Sequence, residues 1–246
     1  MKTVGIVGGV GPEASNLFCE FLIKNKKSKK DQDHIPFIHF SRPQIPDRTD
    51  FILGNGEDPI PELVNTCLAL EKAGADFLVI PCNTAHYFLP KVQKEVSIPI
   101  VDMTKVLIKH IMKEKPFLKK IGILATTGSV KVGLYQKYFK TVGVQSILPN
   151  EKDQEEIVRN SIYGKKGIKA GKKKLPKMQL TGMIDKLIKR GAQAIILGCT
   201  EIPIVIKQKN FDCKLYDPMN IVSKEIIRYI EEEVKMFRDW NLLRKL

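Results

Sequence analysis

Two cysteines stand in near-duplicate settings. Residues 77–86 read Phe-Leu-Val-Ile-Pro-Cys-Asn-Thr-Ala-His, and residues 194–201 read Ala-Ile-Ile-Leu-Gly-Cys-Thr-Glu. In each, a short apolar run meets a breaker, then Cys, then an amide or hydroxyl residue. A thiolate and a thiol on opposite sides of one carbon can remove a proton from one face and return one to the other. The thiolate is the working base, and a thiol of ordinary pKa, about 8.5, needs N–H groups or nearby cations to reach that form at neutral pH. Asn83 and Thr84 beside Cys82, and Thr200 beside Cys199, can supply such hydrogen bonds.

Chemistry of this kind needs elements that bring the two thiols together. Runs of four apolar residues after Gly-Ala-Asp and Gly-Ala-Gln predict buried parallel strands. Cys82 and Cys199 then lie just past strand carboxyl ends, where open α/β sheets place ligands. Along the chain, strands are expected at Lys2–Gly8, Ile35–Phe40, Phe77–Ile80 and Ile98–Asp102, then at Ile121–Ala125, Gly143–Leu148, Ala194–Leu197 and up to Tyr216. Helices are expected at Glu13–Asn25, Pro61–Ala73, His86–Val96, Thr104–Lys113, Lys131–Thr141, Lys152–Tyr163, Leu180–Arg190, Ile202–Gln208 and Asn220–Asp239, with a loop from Pro43 to Pro61. Cys82 and Cys199 are 117 residues apart, and so are Val4 and Ile121. Equal offsets are what an internal duplication leaves. The expected fold class is α/β: two similar domains with parallel sheets and a site in the cleft between them, where ligands commonly bind. The first domain is set at 1–103 plus 209–246 with Cys82, and the second at 104–208 with Cys199.

Composition narrows the class. The 246 residues are 43% hydrophobic, enough for a sizeable core, and carry 41 Lys+Arg against 27 Asp+Glu, a net charge of +14. Such a balance suits nucleic acid, an acidic substrate drawn in by the field, or the host's own chemistry. The lysine runs at 24–30 and 165–174 hold no aromatic residues, which counts against a single-strand nucleic-acid surface; they read as solvated segments, the first closing a helix. Five cysteines with no CxxC pair and no His/Cys cluster argue against a disulfide framework or a metal site. Cys19, Cys67 and Cys213 read as packing residues. The first nine residues are too Gly-rich for a signal sequence, and no apolar run approaches the ~20 residues of a membrane helix. A reducing cytoplasm is the expected setting.

Two turns suit anions. Gly8-Gly9-Val10-Gly11 follows a strand and opens a helix, where exposed N–H groups favour a carboxylate or phosphate. It lacks dinucleotide and P-loop spacing. Thr126-Thr127-Gly128-Ser129 stands at the equivalent place in the second half. Either is equally compatible with a tight turn that holds no ligand, because helix starts prefer these residue types.

Taken in order, Gly-Gly-Val-Gly-Pro, Pro-Cys-Asn-Thr-Ala-His, Ala-Thr-Thr-Gly-Ser, Ile-Lys-Ala-Gly and Gly-Cys-Thr-Glu resemble the aspartate/glutamate racemase superfamily, with cofactor-independent aspartate racemases the nearest branch. The resemblance runs from Met1 to about Asp217. Val10 stands where the family usually has Met. The Tyr163-to-Lys169 spacing is two residues longer than usual, and Lys169 is taken over Lys165 and Lys166 as the lysine that faces the site. The resemblance implies two pseudo-twofold α/β domains, a homodimer, and no pyridoxal phosphate, metal or nucleotide.

It also implies roles. Cys82 and Cys199 are the acid/base pair, exchanging roles between enantiomers. Arg48, in Ile-Pro-Asp-Arg-Thr, is the bidentate grip on one carboxylate, and Lys169 faces the second. Asn83, Thr84, Thr127, Ser129 and Thr200, with the Gly9-Val10 turn, are the remaining substrate contacts. His86 reads as a structural residue at a helix start, and Glu201 as either a neighbour of Cys199 or a helix cap. The leading expectation is a racemase of aspartate, with glutamate the near alternative. A hydantoin racemase, or a decarboxylase or isomerase using one thiol, is the second enzymatic reading; two cysteines favour a racemase. The partner is then a small dicarboxylic amino acid, with no nucleic acid and no membrane. The third reading, a basic anion- or nucleic-acid-binding protein on this scaffold, is separated by salt-dependent DNA binding.

Overall fold

The computed structural model describes residues 1–231. Among them are two four-stranded sheets, each wholly parallel. The first contains β1 (Val4–Gly8), β2 (Phe37–Ser41), β3 (Phe77–Val79) and β4 (Ile100–Val101), in the order β2-β1-β3-β4. The second contains β5 (Lys120–Ala125), β6 (Gln145–Ile147), β7 (Ala194–Gly198) and β8 (Lys214–Tyr216), in the order β6-β5-β7-β8. The two orders are the same, and the apolar runs behind them are buried end to end at β1 and β7.

The duplication extends to packing. Gly5 in β1 has no room for a Cβ because Leu78, Ala75 and Leu70 crowd it; Gly122 in β5 is crowded by Ile195, Ala192 and Leu187. All four positions shift by the same 117 residues. In both halves a side chain of the neighbouring strand and the alanine before it press on the first strand, so a side chain at the glycine would force them to shift.

The second half takes one element the sequence reading gave to the first. β8 pairs with β7, with Leu215 opposite Ile195, so residues 209–217 complete the second sheet as β4 completes the first. A duplicated four-strand unit needs its own fourth strand, and the expected return to the first domain overlooked this. The helices Pro12–Lys26, Met103–Glu114 and Pro218–Glu231 then pack together. One apolar cluster runs through both halves, from Ile6 and Phe18 to Ile123, Ile196 and Tyr216. Phe18 and Leu22 on the first of these helices are fully or nearly fully buried, each contributing about 1.5–3 kcal/mol by transfer from water. The part of the expected last helix beyond residue 231 lies outside the described residues. Among the described residues no helix is long and apolar enough to cross a membrane.

Other differences are local. The expected loop 43–61 contains a helix, Arg48–Leu53, started by Asp47, whose carboxylate accepts from the Thr49 and Asp50 N–H groups. The single helix expected over 131–141 is two, Thr127–Lys131 and Gln136–Thr141, parted at Gly133 with φ of 66°. The helix expected over 180–190 begins earlier, at Lys174. Lys27, in the left-handed region, closes the first helix within the first lysine run.

Asp217 caps the last helix, accepting from the Met219 and Asn220 N–H groups. The residue keeps some surface, but its carboxyl is enclosed, and burial lifts its pKa from 3.8 to about 6. A carboxyl pKa raised on folding stabilises the fold below the unfolded value and loses that contribution as pH rises through the folded value. Asp217→Asn retains a capping oxygen without the titration. Between about pH 4 and pH 8 the variant is expected to gain about 1–3 kcal/mol relative to wild type, read from urea unfolding at several pH values.

Candidate active site

β3 and β7 each deliver one thiol. β3 ends at Val79, and Ile80-Pro81 carries the chain to Cys82; β7 ends at Gly198, directly before Cys199. Gly198 is obligatory, since a Cβ there would meet the Tyr135 ring, the Ala125 methyl and the Leu124 carbonyl. Both cysteines line one cleft between the halves and are nearly closed off, at 7% and 4% exposure. The empty space, counted to its mouth, is about 260 Å³.

The first half contributes Val10, Arg48, Cys82, Asn83 and Thr84 to the lining. Arg48 is 6% exposed at the first position of its helix. Its Nη1 donates to the Ile45 and Pro46 carbonyls at 3.0 and 2.8 Å, while Nε has no partner. Burial alone would discourage its charge, but the Cys82 sulfur, Asp47 and Tyr163 facing it outweigh burial and hold it charged. Asn83 is buried with neither amide atom hydrogen-bonded. A buried amide without partners is costly unless something in the cleft supplies them. His86 is buried outside the lining. Its Nε2 accepts from the Met103 N–H at 3.1 Å, so its proton sits on Nδ1, 2.9 Å from the Cys82 carbonyl that it donates to. It ties the Cys82 backbone to the next helix, a structural part.

The second half contributes Thr126, Tyr163, Lys169, Cys199, Thr200 and Glu201. Lys169 is exposed as a residue, but its side chain turns inward, 28% exposed, to Glu201 Oε1 at 3.1 Å and over the Tyr163 ring. Lys165 and Lys166 stay exposed. Burial opposes the charge of Lys169, yet Glu201 and Cys199 outweigh it and raise its pKa. Glu201 Oε2 accepts from the Cys199 thiol at 3.0 Å and from the Thr200 hydroxyl at 3.2 Å. Burial, then the Glu201 charge, pushes the Cys199 thiol well above its ordinary range.

Three expected contacts lie elsewhere. Thr127 points to the outer face, donating to Glu155 and accepting from Gln154, and its neighbour Thr126 takes the cleft position. A helix N-cap turns its side chain to the N–H groups of the first turn, which puts Thr126, the cap, inward. Ser129 sits behind the cleft wall. Its hydroxyl, with those of Thr84 and Thr126, forms a buried cluster at 2.9–3.0 Å that joins the two halves. Gly9 serves the turn: its φ is 84°, and a Cβ would strike the Arg42 backbone. The sequence reading missed Tyr163, whose hydroxyl meets Thr49 across the cleft at 3.1 Å, and left Glu201 open. The Asp-Arg-Thr start of the short helix was the available sign that Thr49 faces inward. Of the remaining cysteines, burial lifts Cys67 to about 12 and Cys19 to about 11, out of reach as thiolates at neutral pH.

Similarity to known proteins follows the same outline. The family model described as Asp/Glu/Hydantoin racemase matches residues 7–226. A broad specificity amino-acid racemase of Bacillus subtilis, RacX, is 25% identical, covering 91% of this chain and 96% of that one. The aspartate racemase structure from Picrophilus torridus superposes with a TM-score of 0.77 at 26% identity, covering 89% of this chain and 90% of that one. That of an aspartate racemase homologue from Pyrococcus horikoshii superposes with a TM-score of 0.73 at 27% identity, covering 93% and 98%.

Proposed function

This chain belongs to the Asp/Glu/hydantoin racemase family, and from that premise we propose that it interconverts L- and D-aspartate with Cys82 and Cys199 as the two proton-transfer groups. The carrying observation is the charge pattern of the cleft. Arg48 and Lys169 are cations, Glu201 is an anion, and both thiols open on the same small space. An acidic amino acid carries two carboxylates and one ammonium, the complement of that set.

One thiolate takes the Cα proton, the electron pair left behind delocalises into the α-carboxylate, and the opposite thiol protonates the other face. Cationic donors around a carboxylate that gains charge lower this barrier in a site closed to water. Asn83, Thr84, Thr126 and Thr200 orient the substrate, with Val10 as the apolar wall. No cofactor enters these steps, and the working unit is a homodimer, for which light scattering is expected to give twice the chain mass. Aspartate and glutamate differ by one methylene, worth only about 1–3 kcal/mol in a pocket. Aspartate is placed first because the structures of an aspartate racemase and of an aspartate racemase homologue superpose with nine-tenths or more of their chains covered.

The test is Cα proton exchange in D₂O, followed by NMR for L-aspartate and L-glutamate, with protein purified without pyridoxal phosphate. Exchange with inversion, faster for aspartate, is the expected result. Exchange with neither acid overturns the reading. Neutral amino acids belong in the panel because RacX is named for broad specificity.

A further inference from the structure

The duplication fails in charge at one position beside the thiols. Cys82-Asn83-Thr84 corresponds to Cys199-Thr200-Glu201 under the 117-residue shift, so a hydroxyl in the first half answers to a carboxylate in the second. Glu201 is 5% exposed and sits where Gly11 of the first half leaves room, since a Cβ there would collide with Oε1. Lys169 pairs with it from one side, and the Cys199 thiol and Thr200 hydroxyl donate to it from the other. Among the described residues that line the cleft Glu201 is the one carboxylate, and Cys82 faces the Arg48 guanidinium.

We infer that Glu201 sets the resting proton inventory of the site, holding Cys199 as the thiol and leaving Cys82, against Arg48, as the thiolate. The groups bearing on Cys199 are Glu201, Lys169, Tyr163 and Tyr135; Arg48 and Tyr135 bear on Cys82. Burial works on Cys199 in the same direction as Glu201.

A kinetic asymmetry follows, resting on the racemase reading. The free enzyme is ready for the enantiomer that presents its Cα–H to Cys82. In that first turnover one proton passes from Cα to Cys82 and one from Cys199 to the opposite face. The protein then holds a Cys82 thiol and a Cys199 thiolate, and proton exchange with solvent returns it to rest. The other enantiomer has to wait for the reverse distribution. The equilibrium demands equal kcat/KM for the two, so the difference shows only in the first turnover of substrate that is already bound.

Two experiments test this. In the substrate-free protein, thiolate absorbance is titrated in Cys82→Ala, in Cys199→Ala, and in Cys82→Ala carrying Glu201→Gln. The thiolate of Cys82 should form at least about one pH unit below that of Cys199, a tenfold difference in thiolate fraction at a given pH. Glu201→Gln should lower the Cys199 midpoint. With enzyme in excess and concentrated enough to bind all of a Cα-tritiated L- or D-aspartate, one enantiomer should release label at least about tenfold faster in the first turnover, and Glu201→Gln should shrink that ratio. Glutamine keeps the size of the side chain, and the Cys82→Ala and Cys199→Ala comparison needs no change at 201. Cys199 ionising first, or equal first turnovers in wild type, overturns the inference. An asymmetric titration without any reaction of aspartate sinks the substrate reading instead.

Discussion

Cys82→Ala and Cys199→Ala are each expected to abolish racemisation of aspartate, lowering kcat by at least about 10³-fold, within the roughly 10²–10⁴-fold attached to a placed acid or base. No other group is set to replace them. The remaining cysteines lie outside the cleft lining, and burial raises their pKa values. Tyr163 lines the cleft, but burial pushes its phenol far above neutral pH. The two variants should not behave alike in D₂O. With one thiol left, a proton can be taken from and returned to a single face. Each variant should therefore exchange Cα–H of only one enantiomer, with retention, and the two should choose opposite enantiomers. Circular dichroism should match wild type, because each change removes one small side chain at a cleft wall. Inversion persisting in either variant removes the two-thiol mechanism.

Arg48→Lys carries the second large effect. Nη1 is committed to the Ile45 and Pro46 carbonyls, so the edge bearing Nε is what the cleft receives. A lysine ammonium cannot hold two carbonyls and offer a planar pair of donors at once. The expected result is a fall in kcat/KM of roughly 10²–10³, the size seen when one donor to a developing negative charge is removed. The split is informative. A loss mainly in kcat places Arg48 on the α-carboxylate, where charge builds up; a loss mainly in KM places it on the side-chain carboxylate. The stranded carbonyls should also cost about 1–3 kcal/mol of stability. Wild-type kcat and KM in this variant would remove Arg48 from the substrate's surroundings.

Much of this architecture was legible in the chain. Continuous apolar runs such as Val4–Gly8 and Ala194–Gly198 form strands because a parallel strand is buried on both faces and shows no alternation. The breaker-Cys pattern put both thiols past strand ends, and the repeated offset of 117 residues foretold two like sheets. Less was legible between elements. The strand at 214–216 is only three residues long, and which sheet takes so short a strand depends on an edge that the rest of the fold leaves open. The helix at Arg48–Leu53 is six residues long and unstable alone, so only its Asp47 cap announced it.

Residue type and spacing by themselves determined the fold class, the duplication and two cysteines just past strand ends, while the family resemblance singled out Arg48 and Lys169. These are properties of local pattern, carried by neighbours in the chain. Tertiary structure alone decided that Thr126 rather than Thr127 faces the cleft, that Ser129 supports rather than lines it, and that Glu201 joins Lys169 to the Cys199 thiol. These depend on which groups distant in the chain arrive within hydrogen-bond reach, as Thr84 reaches Thr126 at 2.9 Å and Lys169 reaches Glu201 at 3.1 Å. Direction at that scale is set by packing between the halves, and a one-dimensional pattern does not carry it.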